Sequence, residues 1–343
     1  MEVQCAGKGL RKMQLRVLHL DDSVHTFHLS VHATGQELYA SMIERIHLLE
    51  SDYFDLEYVN DEGMRCWLDH DKPVLRQLSP GKDLVFRFAV KFYTPYPNLL
   101  EEECTRYLFA LQIKRDLVTG TLLCSENTAA LLASYIVQAS TSVLTHSFLY
   151  PTNDTAEIGD FIEDEYRTIE YLRPLKLMHE PTEDRLHRTM EYHKAHVGMS
   201  PSESDITLLD TARKVEFYGI RLHFARNHEG LGLNLAVSHL GILIFQNLCR
   251  ISTFSWAKIR KLSFKRKRFL VKLQPERFDV IEFLFDSRDE CKQFWKNCIE
   301  HHAFFRCPVL ERNVPAKHPR NHPRSGLTFS GYERECFGFV EHN

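Results

Sequence analysis

Apolar and polar residues alternate along two separate parts of this chain, and between them the repeat lengthens to that of a helix. From Met13 the apolar positions are Leu15, Val17, Leu18 and Leu20, and after Asp21-Asp22-Ser23 they resume at Phe27, Leu29 and Val31. Two alternating runs around an Asp-rich turn predict a β-hairpin. Thr34 and Glu37 then have the spacing of a capping box, opening a helix with Leu38, Met42, Ile46 and Leu49 on one face. Short strands are expected at 54–58 and 66–68 and a longer one at 84–92. Hairpin, helix and further strands within about eighty residues is the order of a ubiquitin-like α+β fold.

The pattern turns helical after Asn98. Residues 99–117 carry Leu100, Cys104, Tyr107, Leu108 and Leu111 inward, with Gly120 at the end. Further helices are predicted at 129–137 and at 186–197, the latter closed by Gly198. Ser200-Pro201-Ser202-Glu203 combines an N-cap serine, proline at the first helical position and glutamate at the third. It opens a helix through Ile206, Leu209 and Ala212 to Tyr218, with Gly219 placed to stop it. Residues 139–156, rich in Ser and Thr without a clear period, read as an exposed excursion between two helices.

Alternation returns at 220–224, 231–237, 242–245 and 251–254, then at Leu262 and Phe264 and at Phe269, Val271 and Leu273, and last at 280–285. Ser287 and Glu290 form a third capping box, and the helix they open lines up Cys291, Phe294, Trp295, Cys298 and Phe305. Seven strands and a covering helix describe a pleckstrin- or phosphotyrosine-binding-like lobe. A strand beside such a helix leaves a groove that takes a peptide as an added strand. Trp256, Ile259, Leu262, Phe264, Phe294, Trp295 and Cys298 are the candidate groove residues, against the plainer reading that these rings are core.

Composition narrows the reading further. A chain of 343 residues is too long for one ordinary domain. Its net charge of −3 gives no overall field favouring nucleic acid, so an anionic partner needs a local patch. Lys265-Arg266-Lys267-Arg268, between two strand-like runs, is expected at an exposed hairpin end. With Lys258, Arg260 and Lys261 it is a candidate patch for anionic lipid, set against the alternative of a solvated strand end. No aromatic stacking platform interleaves the run, which disfavours single-stranded nucleic acid.

Nine cysteines, odd in number and without a Cys-x-x-Cys pair, argue for reduced thiols over a disulfide framework or zinc site. His301-His302 is read as one exposed and one partly buried residue. There is no secretory signal, no bilayer-length apolar run and no myristoylation glycine. Phosphate loops, nucleophile elbows and His-Glu-x-x-His sites are absent from the sequence, so neither catalysis nor a cofactor or metal is expected.

The order ubiquitin-like, helical, pleckstrin-like resembles the FERM domain. So do Trp67-Leu-Asp, Lys91-Phe-Tyr and the run Thr105-Arg-Tyr-Leu-Phe-Ala-Leu-Gln-Ile-Lys-Arg-Asp116. The runs Ala212-Arg-Lys-Val-Glu-Phe-Tyr-Gly-Ile220 and Cys291-Lys-Gln-Phe-Trp-Lys-Asn-Cys298 look like band 4.1 sequence as well. Leu262-Ser-Phe-Lys-Arg-Lys-Arg-Phe-Leu270 is similar to the subgroup of FERM, RhoGEF and pleckstrin-domain proteins, with which FERM domain-containing protein 7 belongs. The resemblance covers about 13–306.

It implies a three-lobed clover: a lead over 1–11, a ubiquitin-like lobe over 12–96, a helical, acyl-CoA-binding-protein-like lobe over 97–218, and a pleckstrin-like lobe over 219–306. Residues 139–156 look like an insertion, and 307–343 are expected to be an unstructured tail adjacent to the FERM domain. The implied function is a non-catalytic adaptor at the cytoplasmic face of the plasma membrane and cell cortex. Its implied partners are cytoplasmic tails of transmembrane proteins, phosphoinositides, and cytoskeletal or Rho-GTPase regulatory proteins. The alternative is the targeting half of a shortened enzyme, either a Rho guanine-nucleotide exchange factor or a tyrosine phosphatase, because 343 residues leave no room for the catalytic domain.

Overall fold

The structure, a computed structural model, describes residues 3–4, 12–78, 85–140, 158–274 and 280–306. The expected tail over 307–343 and nearly all of the expected excursion over 139–156 lie outside these residues. The chain forms two compact units, Met1–Ile220 and Arg221–Asn343, and the first contains two lobes.

The first lobe is a mixed sheet. Its strands are β1 (Val3–Gln4), β2 (Lys12–Leu18), β3 (Val24–Ser30), β4 (Phe54–Val59), β5 (Arg65–Trp67) and β6 (Val85–Val90). The order is β1-β2-β6-β4-β5, with β3 on β2, and β2 runs parallel to β6. Helix α1 (Gly35–Ile46) crosses the sheet, and α2 (Val74–Gln77) is a short turn. Thr34 and Glu37 make the predicted capping box. Leu38, Met42 and Ile46 are buried, but Leu49 is 84% exposed. The helix has already stopped at His47, whose backbone is left-handed (φ 51°), so the apolar stripe does not extend to Leu49.

Two of the motif fragments meet inside this lobe. The Lys91 ammonium bonds the buried Asp55 carboxylate at 2.8 Å and lies 5.5 Å from the Trp67 and Phe92 rings. Burial alone would push Asp55 up. Lys91, helped by His70, outweighs it and holds the carboxyl at about 2.

The second lobe is built from α3 (Glu103–Val118), α4 (Glu126–Ala139), α5 (Glu183–Lys194) and α6 (Pro201–Ala212), with a 3-10 segment at Ile169–Leu175. Helix α3 buries a different face from the one its apolar spacing predicts. Thr105, Leu108, Phe109, Gln112, Ile113, Asp116 and Leu117 are inside, while Cys104, Tyr107 and Leu111 are only half-buried. The polar members are used: Val90 N–H donates to Gln112 at 3.1 Å, Gln112 donates to Asp116 at 2.9 Å, and Tyr93 O–H donates to Asp116 at 2.6 Å.

Helix α3 also joins this lobe to the first at its ends. The Glu102 carboxylate accepts Leu49 and Glu50 N–H, and the Glu50 carboxylate accepts Glu101 and Glu102 N–H. Arg115 donates to the His19 and Leu20 carbonyls and to Asp22. One continuous hydrophobic core therefore runs through both lobes.

The Ser200–Glu203 capping box forms as predicted, but α6 ends at Ala212, short of Tyr218, and Ile206 is 37% exposed. Gly219 has φ +68°, and a Cβ there would meet the Tyr93 ring at 2.4 Å, so it serves a close approach beyond the helix end.

The second unit is one antiparallel sheet of seven strands: β7 (His223–Arg226), β8 (Gly232–Ser238), β9 (Gly241–Gln246), β10 (Cys249–Ser255), β11 (Ile259–Lys265), β12 (Arg268–Leu273) and β13 (Ile281–Leu284). Their order is β10-β9-β8-β7-β13-β12-β11, which leaves β10 and β11 as edges among the described residues. Each edge strand carries a register shift, between Arg250 and Ser252 and between Ile259 and Lys261. Helix α7 (Arg288–Arg306) covers a separate core centred on Phe269, Phe294, Cys291 and Cys298, all fully buried.

A candidate membrane and peptide interface

The basic tetrad closes the hairpin of β11 and β12. Lys265 pairs with Arg268 across it, and Arg266 and Lys267 form the two-residue turn. All four residues are exposed, as are Lys258 and Arg260, and Lys261 is half-exposed. Arg268 approaches Glu282 at 3.3 Å. Lys267 Nζ donates to the Asp286 carbonyl at 2.7 Å, and Phe285 N–H donates back to the Lys267 carbonyl at 2.8 Å, tying the turn to the start of α7. Lys265 and Arg266 make no ion pair among the described residues. The turn is anchored through its backbone and presents two uncompensated cations.

β11 is the edge strand beside α7. The helix begins with the predicted capping box: Glu290 N–H donates to Ser287 Oγ and Ser287 N–H donates to the Glu290 carboxylate, both at 3.0 Å. Its apolar stripe then faces the sheet, with Phe264 and Trp295 rings 5.1 Å apart and Phe269 and Phe294 also at 5.1 Å. All seven candidate groove residues are buried, none more than 8% exposed. Trp256 Nε1 donates to the Ser238 carbonyl at 3.1 Å, and Trp295 Nε1 reaches the Leu262 carbonyl at 3.4 Å. These rings hold the strand and helix together, and what an incoming peptide would meet is the strand backbone.

The thiols under the helix are inert. Burial pushes Cys291 up to about 12 and raises Cys298 well above the usual thiol range, so both pack as small hydrophobes. His301 and His302 are both buried, where one exposed residue was expected, because the last turns of α7 remain covered. Burial, with Arg306 beside it, lowers His302 to about 4. Among the described residues no cluster of His, Cys, Asp or Glu could hold a metal ion.

Sequence reading missed the Arg226–Asp286 ion pair, at 2.6 Å, and the identity of the edge strands. Both depend on strand order, which no local pattern encodes. The bulge at Arg260 had a local signal in the break of strict alternation between Ile259 and Leu262.

Comparison with known proteins places these lobes. The FERM N-terminal domain matches 17–80, the FERM central domain 95–223, and the FERM C-terminal PH-like domain 227–311. The chain is 46% identical over 301 residues to FERM, ARHGEF and pleckstrin domain-containing protein 2 of Mus musculus, covering 86% of this chain and 26% of that protein. It is 42% identical over 308 residues to FERM domain-containing protein 7 of Homo sapiens, covering 88% and 40%. With human tyrosine-protein phosphatase non-receptor type 4 it shares 38% over 304 residues, covering 87% and 31%. It thus spans only 26% to 40% of the length of these relatives. The solved complex of the FERM and C-terminal domains of Drosophila Merlin superposes with a TM-score of 0.74 at 25% identity, covering 86% of this chain and 96% of that one. With all three models matched in order along one chain of ubiquitin-like, helical and pleckstrin-like lobes, this protein belongs to the FERM family of the band 4.1 superfamily.

Proposed function

We propose that this chain is a non-catalytic adaptor linking membrane-protein tails and the cortical cytoskeleton at the inner face of the plasma membrane. In this reading the lobes divide near 96 and 219, the patch from Lys258 to Arg268 holds anionic phosphoinositide, and β11 with α7 receives a cytoplasmic tail. The observation that carries it is the coincidence, on one unit, of an exposed basic turn and an open strand edge beside a helix. Each cation near an acidic leaflet contributes on the order of 1 kcal/mol, enough in combination to hold a protein of slightly negative net charge at the surface. Any connection to actin runs through regulators of Rho-family GTPases or other cytoskeletal partners.

A second reading, the targeting part of an enzyme, draws on the relatives named for an ARHGEF domain and for tyrosine phosphatase, of which the chain spans 26% and 31%. A transcript map showing exons for a catalytic domain after residue 343 would favour it.

The membrane assignment is tested by replacing Lys265, Arg266, Lys267 and Arg268 together with Ala. Folding is expected to be unchanged, because exposed pairs such as Arg268–Glu282 contribute less than about 1 kcal/mol. Binding to vesicles containing acidic phosphoinositide should weaken about a hundredfold at low salt, and wild-type binding should fall as salt rises. A tail peptide bound along β11 should still bind. Equal vesicle binding by the variant and wild type at low salt would reduce the tetrad to a solvated turn.

A further inference from the structure

We infer that the end of the second unit bearing the basic tetrad also inserts apolar side chains, Leu248 and Leu231, into the acyl layer of an acidic bilayer. This rests on the lipid reading above and adds to it a component that salt does not screen.

The register across the sheet places these residues at one end. Arg268 stands opposite Leu284, Leu284 opposite Arg226, and Arg226 opposite Gly232, so one rung crosses β12, β13, β7 and β8. Asn234 stands opposite Phe245, and the same register carried two residues further sets Gly232 beside Asn247 in the β9–β10 turn. The turns at 227–231, 247–248 and 266–267 therefore share an end, spread over about 24 Å of sheet at ordinary strand spacing. Leu248 is 50% exposed and Leu231 44% exposed.

Backbone conformation gives a second, independent reason. Asn247 and Leu248 both have positive φ, 48° and 64°. A two-residue turn of this kind favours Asn-Gly, and a branched apolar residue in the left-handed region is strained. The tetrad turn holds one such residue, Arg266 at φ 56°. Two turns at this end each hold a strained side chain at the tip where glycine would relax the chain. One is apolar and the other cationic, and strain of this kind collects where side chains are used.

The charges decide the occupant. Asp286 is taken by Arg226, while Lys265 and Arg266 are uncompensated and outnumber Glu229, the one carboxylate of the 227–231 turn. A phosphopeptide or free phosphate would use the cations and leave both leucines in water. A bilayer satisfies both, with headgroup phosphates at the cations and acyl chains at the leucines.

The test uses the full 343-residue chain and vesicles of phosphatidylcholine with phosphatidylserine and phosphoinositide. Leu248→Trp should be quenched by lipids brominated on their acyl chains, above the quenching seen in the unsubstituted chain. Leu231→Ser with Leu248→Ser should weaken vesicle binding about tenfold at both low and high salt, leaving binding of soluble inositol phosphate unchanged. Leu240→Ser is the control: Leu240 is also 44% exposed but sits in the β8–β9 turn at the opposite end, and its loss should change nothing. Vesicle binding without bromine quenching, or wild-type affinity in the double serine variant, overturns the insertion and leaves the lipid assignment standing. No wild-type binding to these vesicles overturns both.

Discussion

Asp205 is a carboxyl group in surroundings that work against its charge. It lies on α6, 6% exposed, and burial, reinforced by the Glu103 charge against the opposing Arg106, pushes it up to about 8. The folded protein then keeps a proton that the unfolded chain releases above pH 3.8, the ordinary value. Stability should fall as pH rises from about 4 to about 8, by at most about 1.4 kcal/mol per pH unit. Asp205→Asn should flatten that slope and stabilise the protein at pH 8, as read from urea unfolding at pH 5, 6.5 and 8. Leu208, Leu209 and Ala212 lie three, four and seven residues on along the same buried face, so the spacing places Asp205 inside although its type argues for the surface. Lys91 and Trp67 were legible as motif residues, but Asp55, the partner of Lys91, occupies a polar position of an alternating strand and reads as solvent-facing.

Capping chemistry made the element boundaries readable. Thr34–Glu37, Ser200–Glu203 and Ser287–Glu290 all form the reciprocal bonds that their spacing predicts. Apolar periodicity was weaker evidence for α3, whose inner face includes Thr105, Gln112 and Asp116. A face defined by paired polar groups has no hydrophobic signature to read. The 3-10 segment at Ile169–Leu175 was missed because Pro174 within it reads as a breaker. For α7 the two contributions separate cleanly. Ser287→Ala should cost about 1 kcal/mol through the lost cap, whereas Trp295→Ala should cost about 3–5 kcal/mol by opening the core against Phe264. Chemical denaturation followed by circular dichroism distinguishes them, and equal small losses would mean that the helix does not cover the sheet.

Over the whole molecule, the order of the lobes was legible because the repeat changes from two to 3.6 residues and back. The seam within the first unit was not, since it joins residues 51 to 96 positions apart. Arg115→Ala removes one guanidinium from two carbonyls and from Asp22, which is 83% exposed. The carbonyl bonds carry most of the effect, so the loss should be about 1–3 kcal/mol, with faster amide exchange in the His19–Ser23 turn as its local signature. Strand order was equally out of reach, and with it the fact that both outer strands of the seven-stranded sheet are interrupted, near Arg250 and Arg260. That interruption would matter if the protein is gathered on a membrane as proposed. Crowding many copies into two dimensions raises the chance that one sheet will extend into the next, and an unbroken edge would let them polymerise. A kinked strand bearing an arginine cannot meet its own likeness in register without setting like charges together. In the proposed role the same edge still accepts a short segment, so a densely populated membrane would hold separate molecules, each available to a tail.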